Sequence, residues 1–202
     1  MATRRRPTPA TRASGCTPSR CSDNWYTLRK ASFDYQQRDG SWSHQTREAY
    51  DRGNGATILL YDPEAETVLL TRQFRLPAYL NGHPDGMLLE TPAGLLDDED
   101  AEAAIRREAE EETGVRVGDI QRLFELFMSP GSVTERVAFF AATYNSGEAH
   151  RHAGVADEGE QIEVVELRFE RALEMVRSGE IADGKAVILL QWAAAQVFDR
   201  AP

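Results

Sequence analysis

The order of elements legible in the sequence predicts an α+β or layered α/β/α domain, preceded by an N-terminal antiparallel β-hairpin. Extended segments come first and return after residue 120, and a single long helical segment, Ala101–Thr113, divides them. Two helical segments close the chain. No βα unit recurs, which argues against a repeated βαβ array. A length of 202 residues suits one domain of ordinary size with a large core.

Residues 1–22 are rich in Arg, Ser, Thr and Pro, lack acidic residues and show no apolar periodicity, so a disordered tail is expected there. They also lack the apolar stretch of a secretory signal. Residues 23–50 form the hairpin: 24–38 and 42–50 have strand content, and Asp39-Gly40 between them is a turn signal. The main domain then runs over 51–202. In it, 56–61 and 67–75 are core strands flanking the turn Asp62-Pro63-Glu64-Ala65, and Met87–Glu90 is short and extended. The Ala- and Glu-rich helix Ala101–Thr113 is stopped by Gly114. Strands follow at 122–128, 134–144 and 161–169, with a polar loop over 145–160. Helices are expected at 171–177 and 185–198, and Phe127, Met128, Phe139 and Phe140 in the core.

The net charge of −10 conceals an uneven distribution, because five arginines and no acids lie in residues 1–22. An acidic body argues against nonspecific nucleic-acid binding. For a phosphate substrate it would require metal cations and a few well-placed arginines. No apolar run approaches the roughly 18 residues of a membrane helix; the run 186–190, for example, ends at Gln191. The only cysteines, Cys16 and Cys21, lie outside the expected core and suit a reducing, cytoplasmic setting.

Helical spacing sorts the glutamates of Ala101–Thr113. Glu108, Glu111 and Glu112 share one patch, which continues the stripe of Ala101, Ala104 and Ile105, while Arg106 and Glu110 point elsewhere. Each like-charge i,i+4 pair costs about 0.2–0.5 kcal/mol, a penalty that a bound divalent cation would reverse. Mg²⁺ or Mn²⁺ takes such oxygen ligands. Upstream, Pro92 and Gly94 bracket Ala93, whose carbonyl is a candidate neutral ligand.

The run GLLDDEDAEAAIRREAEEETGV (94–115) resembles the Nudix box: a glycine, five residues, a glutamate, seven residues, then Arg-Glu-aliphatic-x-Glu-Glu-x-Gly-aliphatic. Arg107, Glu108, Ala109, Glu111, Glu112, Gly114 and Val115 match its second half. Counted forward from Gly94, Asp100 replaces the first glutamate, and the interval to Arg107 is one residue short. The bacterial GDP-mannose hydrolases of this family resemble the chain in that shortening. The likeness extends over roughly 22–198, through SDNWYTL (22–28), RQFR (72–75), LFELFMSPG (123–131) and ALEMVRSGEIADGKAVILL (172–190).

The resemblance implies an α+β fold, a Nudix-type α/β/α sandwich with a central mixed sheet, and Mg²⁺-dependent hydrolysis, Mn²⁺ substituting, of GDP-mannose to GMP and mannose 1-phosphate. The box alone does not choose GDP-mannose over ADP-ribose or another nucleotide sugar, nor does it exclude a binding protein without turnover. The resemblance implies Glu108, Glu112, Glu160 and the Ala93 carbonyl as metal ligands, Glu111 beside them, and Arg107 orienting the glutamates. Glu158 and Glu163 are alternatives to Glu160, and the general base is Glu160 or Glu135. Substrate contacts fall to Trp25, Arg47, Glu48, Arg75, Glu135 and Lys185. A homodimer packed through the N-terminal strands is expected, isologous by default.

Overall fold

The computed structural model describes residues 13–23, 26–96, 99–146, 152–153 and 162–199. These fall into two compact units. One holds the N-terminal strands together with Ser129–Glu135, and the other holds Gly53–Met128 and the chain from Arg136 onward.

The N-terminal unit is a three-stranded antiparallel sheet in the order β1 (Ala13–Asp23), β2 (Thr27–Gln36), β3 (Trp42–Asp51). Gly40 turns the β2–β3 hairpin at φ 87°, a conformation that glycine adopts without steric cost. Part of the segment expected to be a disordered tail is instead β1. This strand is an edge: it needs only the ladder that β2 offers, tolerates Pro18, and carries irregularities at Ser14/Thr17 and Arg20/Ser22. Such a strand leaves no apolar alternation to read. Ser129–Glu135 lies along β3, where the Tyr50 N–H donates to the Ser132 carbonyl (2.8 Å) and the Thr134 N–H donates to the Tyr50 carbonyl (3.0 Å).

The larger unit is built on a mixed sheet in the order β10 (His152–Ala153), β11 (Ile162–Arg168), β5 (Thr67–Phe74), β4 (Asn54–Asp62), β9 (Arg136–Thr143), β8 (Ile120–Phe127). The β4–β9 pairing is parallel and the others are antiparallel. Period-two alternation sends the two sides of each central strand into separate cores. Leu59, Val137 and Phe139 pack with α3 (Phe169–Ser178) and α4 (Gly184–Gln196). Ile58, Leu60, Ala138 and Phe140 pack with Ile105 and Ala109 of α2 (Ala101–Thr113). This is the expected α/β/α sandwich. Phe139 and Phe140 are core residues as expected, and Met128 packs at the margin of the α3/α4 core. Phe127 is not in the core: it ends β8, the sheet edge, and is 59% exposed.

Strands β4 and β5 form a fork. They pair only near their turn, at Leu60↔Leu69, Tyr61↔Val68 and Asp62↔Thr67. Beyond that point they separate, and one segment fills the gap: β6 (Met87–Glu90) pairs with β5, and β7 (Ala93–Leu96) pairs with β4. The step between β6 and β7 is pinned where Thr57 Oγ1 meets Thr91 Oγ1 (2.8 Å) and the Ile58 N–H donates to the Pro92 carbonyl (3.0 Å). A short helix, α1 (Leu76–Leu80), links β5 to this insertion.

Candidate functional site

Helix α2 starts at Asp100, whose side chain accepts from the N–H groups of Glu102 (3.0 Å) and Ala103 (3.3 Å). It stops at Gly114, which takes the left-handed conformation (φ 71°). Ala104, Ile105, Ala109 and Glu112 are buried on its inner face. A fully buried Ile or Leu contributes about 1.5–3 kcal/mol, more than the like-charge pairs cost, so the apolar stripe holds the helix despite its acidic end. Glu112 is 8% exposed. Arg106 and Glu110 point elsewhere as expected. The Arg106 guanidinium donates to the Val117 and Gly118 carbonyls, and Glu110 accepts from the Val117 N–H (3.1 Å), tying down the chain beyond the helix.

Gly94 of β7 sits directly on Glu108. A Cβ added there would collide with Glu108 Cγ and lie 2.6 Å from its Cδ, closer than non-bonded carbons approach. Glycine is therefore what lets the Glu108 carboxylate lie against the strand that carries Ala93. Arg107 reaches Glu108 (3.0 Å) and Glu111 (3.0 Å), and their charges, Glu108 first, raise its pKa.

Arg107 also lies 3.6 Å from Glu99. This corrects the count made forward from Gly94. Glu99 keeps the seven-residue interval to Arg107, so it occupies the place of the first glutamate in the pattern. Asp100 is the helix N-cap, for which a short side chain suits better than a glutamate. The shortening therefore lies between Gly94 and Glu99.

A second cluster brings together Arg75 and Lys185, both expected at the site, around Glu90, which the sequence did not single out. Glu90 ends β6 with 1% of its surface exposed. Its carboxylate accepts from Arg75 Nε (2.7 Å), Arg75 Nη2 (3.0 Å) and Lys185 Nζ (3.2 Å). Lys185 also donates to Asp183 (2.7 Å), the α4 N-cap, whose other oxygen accepts from the Ala186 N–H (2.9 Å). Burial pushes the Glu90 carboxyl up, but hydrogen bonds from Arg75 and the charges of Lys185 and Arg75 outweigh it and hold the pKa below its ordinary value. Burial likewise pushes Lys185 down, and the charges of Glu90 and Asp183 more than reverse it. No local pattern signals Glu90, because its partners are 15 and 95 residues away.

Of the other expected site residues, Trp25, Glu158 and Glu160 lie outside the described residues. Glu163 is on β11, paired with Arg72 (3.4 Å). Arg47, Glu48 and Glu135 belong to the N-terminal unit. Arg47 and Glu48 are exposed neighbours on β3 and so point to opposite faces of its sheet. Glu135 pairs with Arg52 (3.4 Å).

Residues 51–189 match the NUDIX domain family. The chain belongs to the Nudix hydrolase family. Residues 21–50 match a second family, the GDP-mannose pyrophosphatase NudK N-terminal domain. A GDP-mannose pyrophosphatase of Salmonella paratyphi B is 57% identical over 172 residues, covering 85% of this chain and 89% of that protein. Proteins of the same name from Klebsiella pneumoniae (56% over 171 residues; 85% and 86%) and Enterobacter sp. (54% over 171 residues; 85% and 89%) are comparably similar.

Nudix hydrolases generally need divalent metal ions. The carboxylates of Glu108 and Glu112 and the Ala93 carbonyl are hard oxygen donors of the kind such ions take, and the absent side chain at Gly94 admits Glu108 to the strand next to Ala93. This donor set fits the group. Among the described residues no three His, Cys, Asp or Glu side chains form a complete site. No helix among them is long and apolar enough to cross a membrane.

Proposed function

We propose that this Nudix hydrolase cleaves the pyrophosphate bond of GDP-mannose to GMP and mannose 1-phosphate, with Mg²⁺ as the working ion and Mn²⁺ as a substitute. The observation that carries the reading is the packing of Glu108 on Gly94 beside Ala93, with the buried Glu112 one turn along α2, in a chain more than half identical to proteins named GDP-mannose pyrophosphatase. Glu108, Glu112 and the Ala93 carbonyl, with Glu160, would hold the ion. When bound, it supplies Lewis acidity toward the diphosphate oxygens. Arg107 keeps Glu108 and Glu111 in register. Water adds to one phosphorus, the bridging P–O bond breaks, and the proton passes to a carboxylate, Glu160 first and Glu135 second. Arg75 and Lys185 bind phosphate oxygens, a role for which the arginine fork is well shaped. Trp25, Arg47, Glu48 and Glu135 are the remaining proposed substrate contacts. The protein works as a cytoplasmic homodimer joined through its N-terminal strands.

Product analysis on GDP-mannose, ADP-ribose and GDP-glucose with Mg²⁺ tests the substrate. GDP-mannose is expected to lead in kcat/KM and to yield GMP, and a tenfold lead for ADP-ribose would overturn the assignment. Light scattering on a sizing column tests the dimer: a fully active monomer contradicts it.

A further inference from the structure

The cluster around Glu90 is layered. Its anions lie beneath, Glu90 at 1% and the Asp183 side chain at 12% exposure, while its cations lie toward solvent, Lys185 at 19% and Arg75 at 37%. Stability alone does not call for this arrangement, because apolar residues of similar volume serve as well as a buried ion cluster. The three elements involved also begin far apart: Arg75 follows β5, Glu90 ends β6 and Lys185 opens α4. Glu90 gathers both cations on one carboxylate. It does so three residues before Ala93, in the segment that also carries Gly94 onto Glu108. In a chain of net charge −10, two cations held side by side are the complement that a diphosphate needs.

We infer that Glu90 is a positioning residue whose buried carboxylate holds Arg75 and Lys185 together as a two-cation clamp for the diphosphate of the substrate, an assignment that rests on the pyrophosphohydrolase reading above. Glu90 itself touches no substrate. A clamp that binds ground state and transition state alike acts on KM more than on kcat.

The test uses the full chain and GDP-mannose, with kcat, KM and thermal midpoint measured for wild type, Glu90→Asp, Arg75→Ala and the double variant. Glu90→Asp keeps the charge but withdraws the carboxylate by one methylene. It is expected to raise KM about tenfold, to leave kcat within about threefold, and to melt within a few degrees of wild type. In the Arg75→Ala background the same change is expected to raise KM much less, because half of the clamp is already gone. Glu90→Gln is the harsher variant, and if it does not fold, Glu90→Asp still decides. A wild-type KM in Glu90→Asp, or KM effects that add fully across the double variant, would overturn the clamp. If the wild type turns over no nucleotide sugar, the reaction assignment fails separately. Calorimetric binding of GDP-mannose in chelator then decides the clamp: tenfold weaker binding by Glu90→Asp supports it, and equal or absent binding overturns it.

Discussion

Two acidic clusters in one domain are organised in opposite ways. Helix α2 gathers five glutamates and two arginines in 13 residues, with Arg107 spread over Glu99, Glu108 and Glu111. The cluster at Glu90 matches two carboxylates with two cations and buries the anions beneath them. On the proposed reading the first receives a cation, whereas in the second Glu90 holds two cations in place. Removing a carboxylate from the patch of Glu108, Glu111 and Glu112 is therefore expected to cost the fold little, and removing Glu90 to cost it more.

The sharpest way to break this contrast is one edit made in both places. Glu112→Gln is expected to lower kcat by about 10²-fold or more, since even changes to the partners of metal ligands cost 10–100-fold. It should leave the metal-free melting temperature unchanged or higher and abolish the rise in melting temperature on adding Mg²⁺. A wild-type rate in that variant removes Glu112 from the ligand set. Glu90→Gln should instead destabilise the fold by about 3 kcal/mol, the low end for a broken buried pair because Arg75 is partly exposed, measured by urea unfolding.

Gly94→Ala probes the approach of strand to helix. Its Cβ would collide with Glu108, so a loss of about 1–3 kcal/mol is expected, together with weaker Mg²⁺ dependence in a metal titration. An unchanged titration would show that Glu108 can move aside.

The pH dependence of stability separates the clusters more finely. Glu90 has a lowered pKa in the fold, so its contribution is present above its ordinary value of 4.5 and is lost as pH falls through the folded value. Lys185 is raised, so its contribution is full below its ordinary 10.5 and is lost as pH rises through the folded value. Glu90→Gln should flatten the acid limb of a melting-temperature profile. The smallest effect is expected from Asp100→Ala, about 1 kcal/mol through loss of the N-cap, with kcat little changed.

What could be read from the sequence follows from what acts locally. The spacing of Glu108, Glu111 and Glu112, the stop at Gly114 and the turn at Gly40 are set by neighbours within a few residues, and all were legible. Ladder bonds to an edge require no apolar pattern, so β1 passed for a tail. Strand β7 was hidden because its four residues contain a glycine and find their partner at Asn54–Thr57, far upstream. Glu90 was missed because its meaning depends on Arg75 and Lys185, which only the fold brings near. The exchange of Glu99 for Asp100 had the same origin: counting from one end of a shortened loop cannot say where the shortening lies, but a contact with Arg107 can.

The fork between β4 and β5 has a further consequence. The carboxylate that gathers the two cations and the carbonyl beside the acidic helix are separated by Thr91 and Pro92 alone, and both of these are tethered to Thr57. In the proposed reaction, one short, doubly pinned step of backbone thus sets the spacing between the diphosphate clamp and the metal ligands. Inserting or deleting a residue there would leave both clusters chemically intact and still mismatch them to a two-phosphate substrate.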